Sequence, residues 1–564
     1  MSSLSENGFF GILKDQGSGV GGWGSGATIG TVSPRSWQAK TGTTLMTGKV
    51  IGARAAVDLV KSGDTLAIHG AGGGNVEPDL LIRTLAGRFE ETGQPRDLTV
   101  LHVSGLGDWK STGLNLLTGN GLVRRNIGGH YGMSPKYAQL ILDNKIEAYS
   151  WPQGVMSQWL REVAAGRPGL ITHIGLKTFI DPRVEGGKMN VRTTQDLIEV
   201  VNLGGREWLF YKAFPLNVCF IRGTTADEKG NLTLEQEPAF LDVLPMAMAT
   251  RNSGGIVIAQ VKRLAQAGTL PAKMVKVPHT MVDHVVLHPG QWQSVEAEYN
   301  PAYSGEVKVP VSSLPVMPLD ERKVIARRAA LEIVGLPRAV LNMGVGMPDG
   351  VALVAAEEGI QDRITITIEQ GLTGGVPAPG VVFGMSSNPE AVIDQGYQFD
   401  FYDGGGLDLT FLGLAEADSR GNVNVSKFSG RMPGVGGFVN ISQGAKAVAF
   451  LGTFTAGGLE VEVGQGRLRI AKEGRFQKFV REVQQITFSG EYAAARGQRV
   501  QFITERAVLV ITKDGLLVTE VAPGVDLERD VLQQMAFRPR VSPDLKNMDA
   551  RIFQEGLMRL GGSR

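Results

Sequence analysis

The sequence predicts an α/β protein of two related halves, each a mainly parallel sheet flanked by helices. The first observation behind this prediction is an order of helix, strand, glycine turn and helix that occurs twice along the chain. The second is an octapeptide that occurs in both halves, as Ala226–Thr233 and as Ala417–Asn424. Both copies share Ala-Asp, a basic residue and Gly-Asn, which are typical of a turn.

Each half begins with the same series of elements. In the first half the predicted elements are a helix over Lys49–Lys61, a strand over Thr65–His69 and a helix over Glu77–Arg88. In the second half they are a helix over Asp320–Val334, a strand over Ala339–Met343 and a helix over Asp349–Glu358. A glycine turn separates strand from second helix in each case, which favours a duplicated architecture.

The length of 564 residues suggests two to four compact units, at roughly 100–200 residues per unit. A proline-rich stretch, Pro289–Pro318, has little hydrophobic periodicity and predicts the boundary between the halves. We therefore expect four regions: a flexible Gly/Ser-rich tail over residues 1–48, an N-terminal domain over 49–290, a linker over 291–318 and a C-terminal domain over 319–564.

Charge and hydrophobicity exclude several classes of protein. The 57 Lys and Arg residues balance 56 Asp and Glu residues, so the overall field favours neither nucleic acid nor an anionic membrane. We found no signal-peptide core and no run near the ~20 apolar residues of a membrane helix, which predicts a cytoplasmic location. The single cysteine, Cys219, lies in an apolar run and is predicted to be a small buried hydrophobe.

Glycine is abundant, with 76 residues, and many of these lie in clusters bounded by strand-like sequence. Such clusters indicate backbone that approaches a ligand closely, because glycine has no Cβ. The clusters are Gly72-Gly73-Gly74, Gly374-Gly375, Gly404-Gly405-Gly406 and Gly436-Gly437.

Glu369 is the predicted catalytic residue. The alternating segment Arg363–Ile368 predicts a strand that ends on this carboxylate, and a glycine turn follows. Ligands bind beyond the carboxyl ends of parallel strands, so Glu369 is expected to face a crevice. A carboxylate in that position can act as a nucleophile in acyl transfer, although a lone glutamate at a strand end is commonly a solvated charge.

Acyl transfer also needs N–H donors for the oxyanion that forms, and glycine turns supply them. Two turns of the second half are candidates: Asn342-Met343-Gly344-Val345-Gly346-Met347-Pro348 and Gly434-Val435-Gly436-Gly437-Phe438. From them we select Asn342, Gly344, Val345, Gly346, Gly434, Gly436, Gly437 and Phe438 as oxyanion or ligand-binding residues.

These motifs resemble those of the family I CoA-transferases. Glu369-Gln370-Gly371 is similar to their Glu-X-Gly nucleophile motif, and Gly434–Phe438 to their Gly-X-Gly-Gly-Phe oxyanion motif. The resemblance runs from about Gly48 onward and includes Gly129-His130-Tyr131-Gly132. It is strongest to the single-chain acetate/propionate CoA-transferases, which are related to 3-oxoacid CoA-transferases. Gln370 departs from the Asn or Ser that commonly follows the nucleophile.

The resemblance implies two tandem CoA-transferase-type domains and reversible CoA transfer through a glutamyl-CoA thioester on Glu369. It also implies that the turn Asn342–Pro348 contacts the coenzyme, with the amides of Val345, Gly436 and Gly437 as the expected oxyanion donors. The implied partners are acyl-CoA and short-chain carboxylic acids, with no nucleic acid and no membrane. A homo-oligomer, a dimer or tetramer, is also implied. Coenzyme A is then a substrate, and no metal or redox cofactor is required.

Other assignments compete with this one. His279, His284 and His288 suggest a metal, but residues four apart on a strand lie about 13 Å from each other, which prevents chelation by one segment. Gly344–Gly350 departs from a dinucleotide fingerprint. Ser5-Glu6-Asn7-Gly8 matches a variant of the nucleophile motif, but it lies in the tail with no preceding strand.

An acyl-CoA hydrolase and a non-catalytic acyl-CoA-sensing module remain the alternative functions.

Overall fold

The computed structural model describes residues 48–310, 317–336 and 338–561. Nearly all of the predicted tail, with Ser5–Gly8, and part of the predicted linker lie outside these residues. In the first half the helices are α1 Ala53–Val57, α2 Asp79–Thr92, α3 Pro135–Leu142, α4 Gln153–Ala164 and α5 Val243–Asn252. The strands are β1 Thr65–Ile68, β2 Leu98–His102, β3 Val123–Gly128, β4 Glu147–Ser150, β5 Gly169–Thr172, β6 Ile198–Leu203, β7 Arg206–Lys212, β8 Val218–Asp227, β9 Leu232–Thr233, β10 Ile256–Ala265 and β11 His284–Leu287.

The first sheet has the strand order β11-β10-β8-β1-β2-β3-β4, and each neighbouring pair is parallel. The short strand β9 runs antiparallel along β8. Every residue of β8 is buried, as expected for a parallel sheet that is covered on both faces. Strands β5, β7 and β6 form a small antiparallel sheet of their own.

The second half repeats the α/β pattern. Its helices are α6 Glu321–Val334, α7 Asp349–Glu357, α8 Gln395–Asp403, α9 Phe438–Gly444 and α10 Gly490–Ala495. Its strands are β12 Ala339–Met343, β13 Ile364–Ile368, β14 Leu372–Thr373, β15 Val376–Pro377, β16 Ser386–Ser387, β17 Ala391–Val392, β18 Leu409–Gly413, β19 Glu416–Ala417, β20 Val423–Asn424, β21 Ala447–Leu451, β22 Thr455–Ala456, β23 Glu460–Gly464, β24 Arg467–Lys472, β25 Phe476–Gln477, β26 Arg499–Ile503, β27 Ala507–Thr512, β28 Gly515–Val521 and β29 Arg540–Asn547.

The second large sheet has the order β17-β14-β13-β12-β18-β21-β26-β27-β28-β29. Its centre, from β13 to β26, is parallel, whereas both ends contain antiparallel pairs. The predicted α/β fold with two large sheets is therefore confirmed, and the second sheet is mixed at its margins.

Most predicted elements agree with the structure to within a few residues. The helix predicted over Asp320–Val334 is α6, and the Asp320 carboxylate caps it by accepting the Lys323 N–H at 2.9 Å. The helix predicted over Lys49–Lys61 is wrong in extent, because only Ala53–Val57 is helical. The chain before Gly52 is extended along β11 instead, and the Ile51 N–H donates to the Val285 carbonyl at 2.9 Å.

The repeated octapeptide forms the same turn in both halves. Asp227 Oδ1 accepts the N–H groups of Lys229 and Asn231, at 3.0 and 2.9 Å. Asp418 Oδ1 accepts the corresponding N–H groups of Arg420 and Asn422, at 2.9 and 3.1 Å. Each turn leads into a short antiparallel strand, β9 or β20. The structural role predicted for this sequence is confirmed.

Cys219 lies on β8 and is fully buried, as predicted. Burial raises the pKa of its thiol to about 12, so the thiolate is strongly disfavoured.

Within the residues that the structure describes, we found no helix with the length and apolar character needed to cross a membrane.

We expect Asp418→Ala to lower the free energy of unfolding by about 1–3 kcal/mol, because buried N–H donors lose their acceptor. Urea denaturation of the variant measures this loss. The control is Asp514→Ala, since the Asp514 side chain is 70% exposed and its ion pair with Arg540 contributes little. Equal unfolding midpoints for the two variants would contradict a structural role for the repeated turn.

Candidate active site

Glu369 follows β13 directly and lies at the carboxyl edge of the second sheet. The parallel register of β12 and β13 sets Asn342 opposite Thr367, so the two strands end at the same level. On its other side β12 pairs with β18, with Met343 opposite Phe411. The turn after β12 and the end of β18 therefore lie beside Glu369, as parallel strands predict.

A cavity of about 340 Å³ lies at this edge, and residues of both halves line it. Glu369 belongs to the second half, whereas the first half contributes residues that follow its strands β1 to β4. These first-half residues include Gly72, Ser104, Gly105, His130, Met133 and Gln153. The carboxyl ends of strands in both large sheets thus meet at one cavity.

Most of the predicted site residues are brought together here. Those that line the cavity with Glu369 are Asn342, Gly344, Val345, Gly434, Gly436, Gly437 and Phe438. Gly346 does not line the cavity, and its selection as a ligand-binding residue stays a prediction. Its φ of +91° shapes the turn, and its carbonyl accepts a hydrogen bond from Arg322 at 3.0 Å.

The Glu369 carboxylate is almost completely buried, with 9% of the residue exposed. Burial raises its pKa above the ordinary value of a glutamate, because the charged form loses its hydration. The side-chain amides of Asn342 and Gln370 interact with the carboxylate and oppose that shift. A buried carboxylate with few partners is poorly solvated, which suits a nucleophile.

Gly437 allows the backbone at the start of α9 to approach Glu369 closely. A Cβ at this position would lie 3.4 Å from Glu369 Cγ and 3.2 Å from Phe399 Cζ. The φ of Gly437 is −79°, a value open to any residue. The requirement for glycine at this position is therefore one of space.

Within the two selected glycine turns, and in the described part of the chain, the N–H groups at the cavity that have no hydrogen-bond partner are those of Val345 and Gly437. The neighbouring amides are occupied. The Gly344 N–H donates to the Phe411 carbonyl at 2.8 Å, and the Gly436 N–H donates to the Gly129 carbonyl at 2.7 Å. The expectation that Gly436 is an oxyanion donor is therefore corrected, since its amide ties the turn to the first half.

The glycine clusters divide into two groups. Gly72 and the pair Gly436-Gly437 line the cavity, as expected for backbone near a ligand. Gly374-Gly375 and Gly404–Gly406 do not line it, and this part of the expectation is wrong. At Gly375 a Cβ would lie 2.3 Å from the Ser387 carbonyl oxygen, so the close approach is to the hairpin that follows.

From the sequence, the first half was expected to supply the acid-binding wall and part of the interface, but none of its contact residues was assigned. Ser104, Met133 and Gln153 lie in stretches without a recognisable chemical motif, and only their positions after strands could have indicated them. His130 lies in a segment that supports the family resemblance. Among the described residues there is no group of three or more His, Cys, Asp or Glu residues that could hold a metal ion.

A buried carboxylate beside unpaired amides, at the carboxyl ends of strands in two α/β sheets, is an arrangement suited to an acyl-transfer enzyme. Comparisons with known proteins name the family. Residues 51–288 match the family model described as Coenzyme A transferase. The chain is 46% identical over 510 residues to acetate CoA-transferase YdiF of Escherichia coli (strain K12), which covers 90% of this chain and 96% of that protein.

Caffeate CoA-transferase of Acetobacterium woodii is 46% identical over 515 residues, which covers 90% of this chain and 98% of that one. The crystal structure of the YdiF acyl-CoA transferase of E. coli O157:H7, in a thioester complex with CoA, is also similar. It has a TM-score of 0.86 at 45% identity and covers 91% of this chain and 97% of that chain. The chain therefore belongs to the family I CoA-transferases, in the single-chain group related to succinyl-CoA:3-ketoacid CoA-transferases.

We expect kcat/KM to fall on acidification with an apparent pKa above the ordinary glutamate value. A carboxylate nucleophile must be ionised, and because burial raises the pKa of Glu369, the ionised fraction of this side chain is lost as pH falls through that raised pKa. Initial rates measured between pH 4 and 8 give this acidic limb of the pH profile of kcat/KM. In Asn342→Ser the limb should move to higher pH, because an amide that favours the carboxylate is lost. A wild-type limb at the ordinary glutamate pKa would contradict the prediction.

Gly437→Ala is expected to reduce kcat by about 10²-fold, the cost of a small misplacement of reacting groups. The added Cβ would lie 3.1 Å from Ile441 Cδ1 and 3.2 Å from Phe399 Cζ, which is tighter than ordinary packing, and these side chains must shift beside Glu369. Steady-state kinetics and a thermal melt of the same sample separate catalysis from folding. Gly335→Ala is the matched control, since its φ is −83° and nothing lies within 4 Å of the added Cβ.

Proposed function

We propose that this CoA-transferase carries CoA as a thioester on Glu369 while it exchanges short-chain carboxylic acids. The observation that supports the proposal is the position of Glu369, buried at a strand end in a cavity lined by both halves. The identity of the nucleophile is an inference from this geometry and from the Glu-X-Gly motif.

The first half-reaction begins when the Glu369 carboxylate attacks the acyl-CoA carbonyl. The C–S bond breaks, CoA leaves as a thiolate, and an acyl-glutamyl anhydride remains. The thiolate then attacks the glutamyl carbonyl of the anhydride, which releases the first acid as a carboxylate. Glu369 is left as a glutamyl-CoA thioester, and a second acid reverses both steps to leave as its own acyl-CoA.

Each addition places negative charge on a carbonyl oxygen. The free N–H groups of Val345 and Gly437 are the proposed donors to that oxygen, since both residues line the cavity and neither amide is otherwise engaged. A preorganised donor of this kind stabilises an acyl-transfer transition state by about 2.7–4 kcal/mol. The other selected residues that line the cavity are proposed to contact the substrates; they are Asn342, Gly344, Gly434, Gly436 and Phe438.

The acids that are exchanged are proposed to be of the acetate, propionate, butyrate or 3-oxoacid type. Relatives of equal identity act on acetate and on caffeate, so sequence similarity alone does not choose between them. We further propose that residues 49–290 and 319–564 work as two domains joined by residues 291–318. A cytoplasmic homo-oligomer, dimer or tetramer, stays a prediction.

The test is mass spectrometry of the full chain after incubation with acetyl-CoA alone, with borohydride to reduce any thioester. We expect the borohydride reduction product of a glutamyl thioester, and we expect it only in the peptide that contains Glu369. Glu369→Gln should abolish it and lower transfer to an acceptor acid by at least 10⁴-fold, because no nucleophile remains. The surface variant Glu528→Gln is the control, since the Glu528 side chain is 50% exposed.

The other outcomes separate the alternatives. Modification at Glu369 with release of free CoA, and no transfer to propionate or butyrate, would indicate a hydrolase. Tight binding of acetyl-CoA without any modification would indicate a sensing module. Modification of a different carboxylate would overturn the assignment of Glu369.

A further inference from the structure

A buried chain of hydrogen bonds links the cavity to a carboxylate that lies outside it. The Gln153 side-chain NH2 group donates to Gln395 Oε1 at 2.9 Å, and the Gln395 NH2 group donates to Asp242 Oδ2 at 2.7 Å. All three residues are buried. Gln153 lines the cavity, whereas Gln395 and Asp242 do not. The chain of hydrogen bonds therefore connects Asp242 to one wall of the cavity.

The three residues come from both halves and from the starts of three helices. Gln153 is the first residue of α4 and Gln395 the first residue of α8, while Asp242 directly precedes α5. The Gln395 N–H donates to the Leu241 carbonyl at 3.1 Å, which fastens the second half to the loop that holds Asp242. Because its backbone and both ends of its amide are bonded, Gln395 has little freedom to move.

The ionised Asp242 carboxylate sets the direction of the chain, because a carboxylate only accepts hydrogen bonds. It requires the NH2 group of Gln395 on its side, and Ser157 Oγ accepts from the same group at 2.9 Å. The carbonyl oxygen of Gln395 must then face Gln153. The reverse orientation would bring two oxygens together at Asp242 and two NH2 groups together at Gln153, and both contacts are costly in a buried site.

The Gln153 side chain lies beside the glycine turn at the cavity. Its backbone N–H donates to the Gly436 carbonyl at 2.9 Å, and a Cβ at Gly436 would lie 4.0 Å from Gln153 Oε1. With its NH2 group bonded to Gln395, the amide oxygen of Gln153 lies on the side of this turn. The orientation of Gln395 therefore decides which atoms Gln153 offers to the cavity.

The Asp242 carboxylate is costly to the fold. Burial raises its pKa to about 7, and its Oδ1 atom has no hydrogen-bond partner among the described residues. The nearby charges are engaged elsewhere, since Arg161 is paired with Asp400 at 2.6 Å and Asp394 with Lys276 at 2.8 Å. A buried charge of this kind contributes little to stability, which favours a role at the cavity.

We propose that Asp242 and Gln395 are positioning residues for the transfer reaction, because they hold the Gln153 amide in one orientation at the cavity wall. Both act through Gln153, which contacts the substrate beside the Gly436 turn. This inference rests on the proposed function of the same cavity.

A double-mutant cycle tests the proposal, with the full chain as enzyme, acetyl-CoA as donor and propionate as acceptor. At pH 8 the Asp242 carboxylate is mostly ionised. We expect Gln395→Met and Gln153→Met each to lower kcat/KM by about tenfold or more, because a contact group is misplaced or lost. The double variant should lie within about threefold of Gln153→Met alone, since residues that act through one another are not additive.

Three results would overturn the proposal. They are a Gln395→Met variant as active as the wild type, a loss in Gln395→Met without a loss in Gln153→Met, and losses that multiply in the double variant. If Gln395→Met does not fold, Asp242→Asn replaces it in the cycle. This variant keeps the shape of the side chain but can donate as well as accept, so it no longer fixes the direction of the chain.

Gln260→Met is the matched control. Gln260 is buried and its NH2 group donates to Asp79 at 3.0 Å and to Gln291 at 2.9 Å, yet none of these residues lines the cavity. We expect its kcat/KM to stay within about threefold of the wild type, since the control has no link to Gln153. Equal losses in Gln260→Met and Gln395→Met would show a general effect of buried polar groups and overturn the positioning role.

The proposed function is scored separately, by the Glu369 adduct that the wild-type chain forms with acetyl-CoA alone. A normal adduct together with multiplied losses in the cycle refutes only the positioning role of Asp242 and Gln395. Absence of the adduct refutes the proposed function itself.

Discussion

The parallel pairing of β12 with β13 and β18 is the constraint on which the active site depends. It brings three strands to an end at one level, so that Glu369 and the turn after β12 become neighbours. Buried polar groups hold these ends together: Thr367 Oγ1 donates to the Leu341 carbonyl at 2.8 Å, and Tyr402 donates to Thr367 at 2.8 Å. A slip by one residue would turn Glu369 away from the cavity.

The second requirement is contact between the halves. The Gly436 N–H and carbonyl are both used there, by the Gly129 carbonyl at 2.7 Å and the Gln153 N–H at 2.9 Å. Because these bonds fix the turn, the Gly437 amide stays free beside Glu369. The first half thus holds a turn of the second half that lines the cavity, so this wall of the cavity depends on both halves.

The predicted elements agreed best where local signals were strong. The strand β12, the capped helix α6 and the two Asp-centred turns depend on residues close in sequence, and each was predicted nearly as it occurs. The short helix α1 was overestimated, because residues before Gly52 pair with β11, more than 200 positions away along the chain. Local propensity cannot anticipate such a pairing.

The sequence by itself determined the α/β class, the duplication and the motif around Glu369, because hydrophobic period and glycine turns are local properties. Only the tertiary structure decided which amides stay free and which residues form the opposite wall. The Gly436 amide is used by a distant carbonyl, and Met133, Val381 and Phe383 meet only when the halves pack. The cavity wall is a property of that packing, since no single segment contains the residues that create it.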